Sequence, residues 1–358
     1  MSCPMQDGVG QLLEPILEYG CSPWRTSSQQ ASDLYELGAK LWRKEDLLHI
    51  EQQLAQSHAA EKFTVRRLDG SLVHIKNPMF GVQKPIWKPY VKFQEYWRLV
   101  RAKPDVPPEL YNCTYLVDWV NQTLRNYEGP IKNVKFLFES SQQQWNESAS
   151  CETLISQFRK LLGRKGNIKV TKIVCFGLGD MNFKPPDWWR IENDSKTEDK
   201  REPETSVVKG AFIHHAMALT MADIARSYDS DVRLLTQDPN YSDETKNLLQ
   251  EIGFEVAGEY GAGGFAELDH ESIVFSAFTA APVKQIIADL ARPAAIICAE
   301  RTSAGVYNHL KKPWADPESP RTRQMWNQYE TTSFPVPSEA TKLEGSLHQL
   351  EIFVRIGE

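Results

Sequence analysis

Lys172-Ile-Val-Cys-Phe-Gly-Leu-Gly-Asp180 is an unbroken apolar run closed by two nearby glycines. A strand buried on both faces reads this way, because helices covering both sides of a parallel sheet leave no polar alternation. Gly177 and Gly179 give the backbone the freedom for a tight turn at the strand's carboxyl end. Open α/β sheets bind their ligands at that end, so the stretch sets both the architecture and the face to search.

Downstream, the pattern alternates. Val232-Arg-Leu-Leu-Thr-Gln237 reads as a strand, and Ser242 caps a helix that runs to Ile252 and stops at Gly253. Phe254-Glu-Val-Ala257 is a short strand and Ser272 to Phe278 a longer one. Val283 to Leu290 is helical, Ala294 to Cys298 a buried strand, and Leu350 to Ile356 an alternating final strand. This order predicts an α/β fold with a doubly wound, mostly parallel, Rossmann-like sheet.

Upstream, Val134-Lys-Phe-Leu-Phe138 reads as a strand leading into that sheet, and Cys151 to Leu162 as a helix ended by Gly163. Between the Gly177 turn and a helix starting at Gly210 lies an insert, residues 181–209, with Pro185-Pro186, Trp188-Trp189 and a charged run. A loop this long is expected to be a lid that is mobile without ligand.

The organisation follows. Residues 1–31 form a flexible N-terminus, 32–130 an accessory helical and hairpin region, and 131–358 the Rossmann-like domain with its insert. In the accessory region, helical spacing begins at Ser32 with Leu34, Leu37 and Leu41 on one face and continues to Leu54. Asp69-Gly70 marks a hairpin. Residues 77–108 mix prolines, aromatics and cations, and Tyr111 to Tyr127 is expected to be helical. There are no internal repeats.

The chain of 358 residues carries 41 Lys and Arg against 47 Asp and Glu, a net charge of −6. That balance disfavours DNA as a partner, while local basic patches keep RNA open. Six cysteines without a Cys-x-x-Cys pair point to a reducing compartment and no metal site. No apolar run approaches the ~20 residues of a membrane span, so no membrane partner is expected. The first residues lack the blocks of a signal peptide, so the expected location is cytoplasmic.

Gly177-x-Gly179 lacks the third glycine of a dinucleotide fingerprint, and the insert is expected to displace the helix that would hold pyrophosphate. A non-nucleotide turn with no cofactor is the reading. His214 and His215 are helix neighbours whose side chains diverge by roughly 100°, so they do not share a metal. One is expected to be buried and the other exposed. Gln237-Asp-Pro-Asn-Tyr-Ser242 is either a capped turn or a turn that also projects Asp238 and Tyr241 into the crevice. Gly177, Gly179, Asp180, Asp238, Glu267, Asp269 and Glu300 adjoin strand termini, and carboxylates converging there would suit a guanidinium. Arg159, Lys160, Arg164 and Lys165 form a basic run, and the aromatic-rich segment 84–103 forms another. Either is a solvated face or an RNA-binding surface.

Phosphate-loop, nucleophile-elbow and zinc-protease motifs are absent. Val174-Cys-Phe-Gly-Leu-Gly179, the His214 helix, Gln237-Asp-Pro-Asn-Tyr241, Phe265-Ala-Glu-Leu-Asp269 with Ser272-Ile-Val-Phe275, and Pro282 to Ile297 together resemble the fungal Sensitivity-to-Red-Light-Reduced-like family. Asp316-Pro-Glu-Ser-Pro-Arg321, Tyr329 and Phe334-Pro335 fit the same branch, and the resemblance covers about residues 170–335. Plant members are linked to light and clock regulation. A fungal subset acts as arginine-containing cyclodipeptide synthases in secondary metabolism, joining aminoacyl groups from charged tRNAs.

That resemblance implies aminoacyl-tRNAs, arginyl-tRNA among them, as partners, and tRNA phosphates on Arg159, Lys160, Arg164 and Lys165. An aminoacyl ester is already activated, so no ATP loop is needed. The chemistry needs a base for the attacking amine, for which His214, His215 and Tyr241 are the candidates. Ser140 or Ser141, placed after the Val134 strand, is a candidate acyl carrier. The alternative is a non-catalytic regulatory or ligand-binding protein of the same fold.

Overall fold

Alternate residues of the strand Lys172–Phe176 serve two different cores. Ile173 and Cys175 enter one, Val174 and Phe176 the other, and all four are buried. Burial on both faces is what an unbroken apolar run requires. The computed structural model describes residues 23–101, 103–124, 131–163, 169–185, 187–277, 279–299, 316–333 and 350–356.

In chain order, helices Pro23–Glu36 and Lys44–Ala55 precede β1 (Lys62–Arg66), β2 (Leu72–Lys76) and β3 (Trp87–Phe93). The short helix Tyr96–Arg101, β4 (Tyr115–Asn121) and helices Val134–Asn146 and Ala149–Leu162 follow. Then come β5 (Lys172–Phe176), helices Asp187–Ser195 and Lys209–Arg226, β6 (Arg233–Gln237) and helix Asp243–Glu251. β7 (Glu255–Val256), the single turn Gly263–Ala266, β8 (Ser272–Ser276), helix Val283–Leu290 and β9 (Ala295–Ala299) continue the alternation. Helix Pro320–Trp326, β10 (Tyr329–Ser333) and β11 (Leu350–Arg355) complete it.

The main sheet runs β10-β11-β9-β8-β5-β6-β7. From β7 to β9 every pair is parallel, whereas β11 is antiparallel to both β9 and β10. The chain builds outward from β5 through β6 to β7, then returns to place β8 and β9 on the other side. The order therefore reverses between β5 and β8, which makes their carboxyl ends the switch point of a Rossmann-like fold.

Helices Val134–Asn146, Ala149–Leu162, Lys209–Arg226 and Asp243–Glu251 cover one face. Val283–Leu290 and Pro320–Trp326 cover the other, together with the N-terminal region, whose Trp42, Phe63 and Tyr115 share that core. Phe265 stacks on Phe176 at 4.2 Å and meets Phe93 edge-on at 5.4 Å, joining the regions through aromatic contact. A partly buried ion pair, Arg321 with Asp289, adds a polar tie. Asp289 Oδ2 also accepts the Leu41 and Trp42 amides at 2.6 and 3.2 Å.

Several elements differ from the sequence expectation. Val134–Phe138 is the start of a helix, not a strand; Phe138 and Trp145, seven residues apart, point inward while Phe136 stays exposed. Five apolar residues are too few to separate the two periodicities. The expected helix from Tyr111 is instead β4, where Tyr115, Val117 and Trp119 pair with β3. Residues 23–31 are helical, with Ser28 and Ala31 buried, so the flexible N-terminus does not extend to residue 31. Residues 1–22 lie outside the described ones. The expected helix from Ser32 to Leu54 is two helices, broken near Gly38 at φ +96°.

The insert is built rather than structureless. It holds helix Asp187–Ser195 and two 3-10 turns, Glu198–Lys200 and Glu204–Val208. Arg190 pairs with Glu204 at 3.0 Å, and the Asn193 side chain bonds both the carbonyl and the amide of Glu202.

Candidate functional site at the carboxyl edge of the sheet

Gly177 and Gly179 turn the chain after β5 with φ of +62° and +92°. The Gly177 amide donates to the Gln237 carbonyl at 3.1 Å, and the Ala277 amide to the Phe176 carbonyl at 3.2 Å. The turn thus sits between the ends of β6 and β8. A Cβ on Gly179 would stand 3.2 Å from Ala211 Cβ. The insert therefore does not displace the following helix, as expected from its length: helix Lys209–Arg226 returns to the turn. It enters through a 3-10 turn rather than through a glycine-rich phosphate loop.

Asp180 and Asp238 share this edge. Asp180 Oδ1 accepts from the Ser242 amide and hydroxyl at 3.3 and 2.9 Å and from the Thr245 hydroxyl. Ser242 in turn caps helix Asp243–Glu251 through the Thr245 amide. Asp180 is thereby committed to holding a helix start. Asp238, half-buried at the end of β6, accepts the Asn240 amide at 2.9 Å in a local turn. The ends of β5, β6, β8 and β9 are in register through Phe176, Gln237, Ser276 and Cys298, so they line one edge. Phe278 and Glu300 lie outside the described residues.

Both histidines are buried, contrary to the expectation of one exposed. His214 bonds the Leu178 backbone, and burial pushes its pKa down to about 4. His215 Nδ1 lies 2.7 Å from the Ala211 carbonyl and Nε2 lies 2.9 Å from the Tyr241 hydroxyl. A carbonyl only accepts, so Nδ1 carries the proton. Burial lowers the His215 pKa to about 3, so the ring is neutral and Nε2 accepts from Tyr241. The Thr236 hydroxyl, 2.7 Å away, then donates to Tyr241. Every member of this chain is inaccessible. The arrangement fixes the helix to the end of β6.

The acids split between the two ends of the sheet. Glu267 and Asp269 precede β8, so they lie at the amino edge, opposite the crevice where sequence placed them. There Lys172 pairs with Asp269 at 2.8 Å and Arg233 with Glu267 at 3.2 Å. The sequence marks a strand terminus without saying which end it is until strand direction is known. Ser140 is half-buried within helix Val134–Asn146 and does not follow a strand. Its neighbour Ser141 donates to the Leu137 carbonyl at 2.9 Å. Arg159 and Lys160 are exposed on the last turn of helix Ala149–Leu162, while Arg164 and Lys165 lie outside the described residues.

Two features of this edge escaped the sequence reading. Gln237 clamps the glycine-rich loop 258–264, donating to the Gly261 carbonyl at 3.0 Å and accepting the Gly264 amide at 2.7 Å. Glu51, from helix Lys44–Ala55, accepts the amides of Tyr260, Ala262 and Gly263 at 2.8 to 3.0 Å. A cradle of backbone donors suited to an anion is thus filled by the chain's own carboxylate.

The second feature is Asp316. Its Oδ2 accepts the Lys284 amide at 2.9 Å at the start of the helix that follows β8, and its Oδ1 is buried. Burial raises its pKa to about 6; Lys284 opposes the rise, and Glu318 and Glu95 add to it. Cys298 lies within reach of the same charges, its thiol pushed up to about 12 by burial. Asp316 sits in a Pro-rich stretch without periodicity, so only folding reveals its neighbours.

Fold and edge together define a Rossmann-like α/β protein whose candidate site gathers around the β5–β8 switch point. The SRR1 domain family model matches residues 142–349, more than half of the chain. The chain belongs to that family. No curated protein and no solved structure matches it significantly. Among the described residues no helix is long and apolar enough to cross a membrane.

Proposed function

We propose that this SRR1-domain protein is an aminoacyl transferase that joins arginine and a second aminoacyl group from charged tRNAs into a cyclic dipeptide. The observation that supports the reading is Asp316, a carboxyl raised to about 6 by burial and bonded to the Lys284 amide at the carboxyl edge of the sheet. A carboxyl raised by burial at such an edge is a candidate acid–base group.

In the proposed step, the α-amine of one aminoacyl group attacks the ester carbonyl of the other. The carbon–nitrogen bond forms, the ester carbon–oxygen bond breaks, and the tRNA hydroxyl leaves. Asp316 takes the amine proton and returns it to the leaving oxygen. A second attack of the same kind closes the ring and frees the second tRNA. Asp238 is the carboxylate assigned to the arginine guanidinium, because an unpaired charge in a crevice costs several kcal/mol. Arg159 and Lys160 are assigned to tRNA phosphates. His214, His215 and Tyr241 act as positioning residues.

A second reading, a regulatory protein that binds a ligand at this edge without turnover, is favoured by the closed His215–Tyr241–Thr236 chain. Mass spectrometry of cultures expressing the protein separates the two. The expected result is an arginine-containing diketopiperazine, lost in Asp316→Asn and retained in Asp269→Asn and Glu267→Gln. Soluble protein without such a mass overturns the enzyme reading and leaves the regulatory one.

A further inference from the structure

Away from the sheet edge, the loop joining β2 to β3 carries an apolar tip. Residues 80–87 are all exposed, and among them Phe80, Val82, Ile86 and Trp87 are 39 to 49 % accessible. Single exposed apolar residues are ordinary, but four within eight positions form a patch. The loop is held at both ends. At its start the Asn77 side chain donates to the Ser57 and Ala60 carbonyls at 2.7 Å and accepts the Met79 amide at 2.9 Å. At its end the Gln122 amide donates to the Ile86 carbonyl at 2.9 Å.

The charge around the patch has one sign. From Gly70 to Gln94 the sequence holds Lys76, Lys84, Lys88, Lys92 and His74 but no acid, in a chain whose net charge is −6. Lys88 and Lys92 pair with Glu259 and Asp118. Lys62, Lys76 and Lys84 form no salt bridge among the described residues. Of the flanking acids, Asp69 is held by Ser71 and Glu95 by the Trp97 and Arg98 amides, which leaves Glu61. Lys62 and Lys76 are direct cross-strand partners in the β1–β2 hairpin, both exposed, at the end from which the loop departs. Like charges placed opposite one another repel. An anionic surface against them relieves a cost that the fold otherwise carries.

We propose that this loop docks on an anionic lipid bilayer. Phe80, Val82 and Ile86 enter the acyl boundary, Trp87 sits at headgroup level, and Lys62, Lys76 and Lys84 meet the lipid phosphates. Apolar area combined with attraction to anionic headgroups is what holds an interfacial segment, and tryptophan favours that depth. A protein partner fits the loop less well. A tip with every residue exposed is a projection and offers no groove for a helix. Pro78, Pro85 and Pro89 lack the N–H donors that an added strand would pair with. Docking of this kind needs no spanning run, the feature on which the sequence expectation of no membrane partner rested.

Co-sedimentation of the full chain with vesicles tests this, using phosphatidylcholine alone and phosphatidylcholine mixed with phosphatidylserine. Binding to the mixed vesicles is expected, with little to the neutral ones. Phe80→Ser combined with Ile86→Ser should weaken it by about tenfold or more. Lys76→Gln and Lys84→Gln should each weaken it by about fivefold and make its salt dependence shallower. All four positions are exposed, so the unfolding midpoint should not move. The proposal fails if mixed vesicles are not bound, if neutral vesicles are bound equally well, or if the variants bind like the parent chain. A chain that ignores vesicles but self-associates, or binds RNA, through these residues assigns the patch to a second copy or to a nucleic acid and overturns the lipid reading. Asp316→Asn should bind vesicles like the parent chain, so loss of the proposed synthesis leaves this proposal standing.

Discussion

At the amino ends of β5, β6 and β8, Lys172 and Arg233 meet Asp269, Glu267 and Glu255 in partly exposed ion pairs. At the carboxyl ends of the same strands, Asp180, Gln237 and Tyr241 bond to hydroxyl, backbone and imidazole groups, and Asp316 is desolvated beside Lys284. The difference teaches where sensitivity should lie. Exposed pairs are screened by water and contribute about 0–1 kcal/mol. Buried polar groups have no substitute partner, so losing one leaves another unsatisfied.

The largest effect that would test this contrast is expected from Gly258→Ala. The new Cβ would overlap the Gln237 side chain, stand 2.7 Å from the Gly264 nitrogen, and force φ of +64° on an alanine. Strain and the lost clamp together should cost about 3 kcal/mol or more, read as a fall in the denaturant midpoint. A neutral result would show that the glycine-rich loop is not a fixed part of the edge.

Tyr241→Phe comes next. It leaves the His215 Nε2 acceptor without its donor, at a cost of about 1–3 kcal/mol. Full stability of that variant would contradict the proton ordering assigned to the His215–Tyr241–Thr236 chain.

A pH series sharpens the same point. His214 and His215 have folded values of about 4 and 3 against 6.5 unfolded. Below pH 6.5 the unfolded chain binds the extra protons, so their contribution, complete above that pH, is lost as pH falls toward the folded values. Asp316 acts in the opposite sense. Its contribution is complete below its ordinary 3.8 and is lost as pH rises through about 6. His215→Gln should flatten the acid limb between pH 6.5 and 4, whereas Asp316→Asn should steepen it. Unchanged slopes in both variants would sever the link between burial and titration.

The smallest effect is expected at the amino edge. Glu267→Gln or Asp269→Asn should change stability by about 1 kcal/mol or less, and by less still in high salt. A larger loss would mean that these pairs, and not the buried groups, hold the sheet register.

Much of the sheet was legible in advance because each of its parallel strands carries its own evidence. β5, β6, β8 and β9 are apolar runs with turn residues beyond them, and Ser242 announces its helix by type and position. The errors fall where local evidence is symmetric. Val134–Phe138 satisfies both periods, and packing of Phe138 on Phe212 and of Trp145 on Thr220, both in helix Lys209–Arg226, makes it a helix. β4 becomes a strand because β3 offers a partner, an interaction across more than twenty residues. The candidate edge was read less well: Gly177, Gly179, Asp180, Asp238 and the end of β6 at Gln237 do share one edge, Glu267 and Asp269 lie at the opposite end, and the contacts of Asp316, Glu51 and the Gln237 side chain were not foreseen.

By itself, then, the sequence determined the alternation of strands and helices, the turn at Gly177 and Gly179, and the burial of β5 on both faces. Those properties depend on neighbours along the chain, where periodicity and backbone freedom act. Tertiary structure alone decided which strand ends are carboxyl ends of one edge, and which polar groups are desolvated there. Asp316 meets Lys284 across thirty-two residues, and Glu51 meets the 260–263 amides across more than two hundred. Their chemistry is set by the burial and electrostatics of that meeting, which no local pattern encodes.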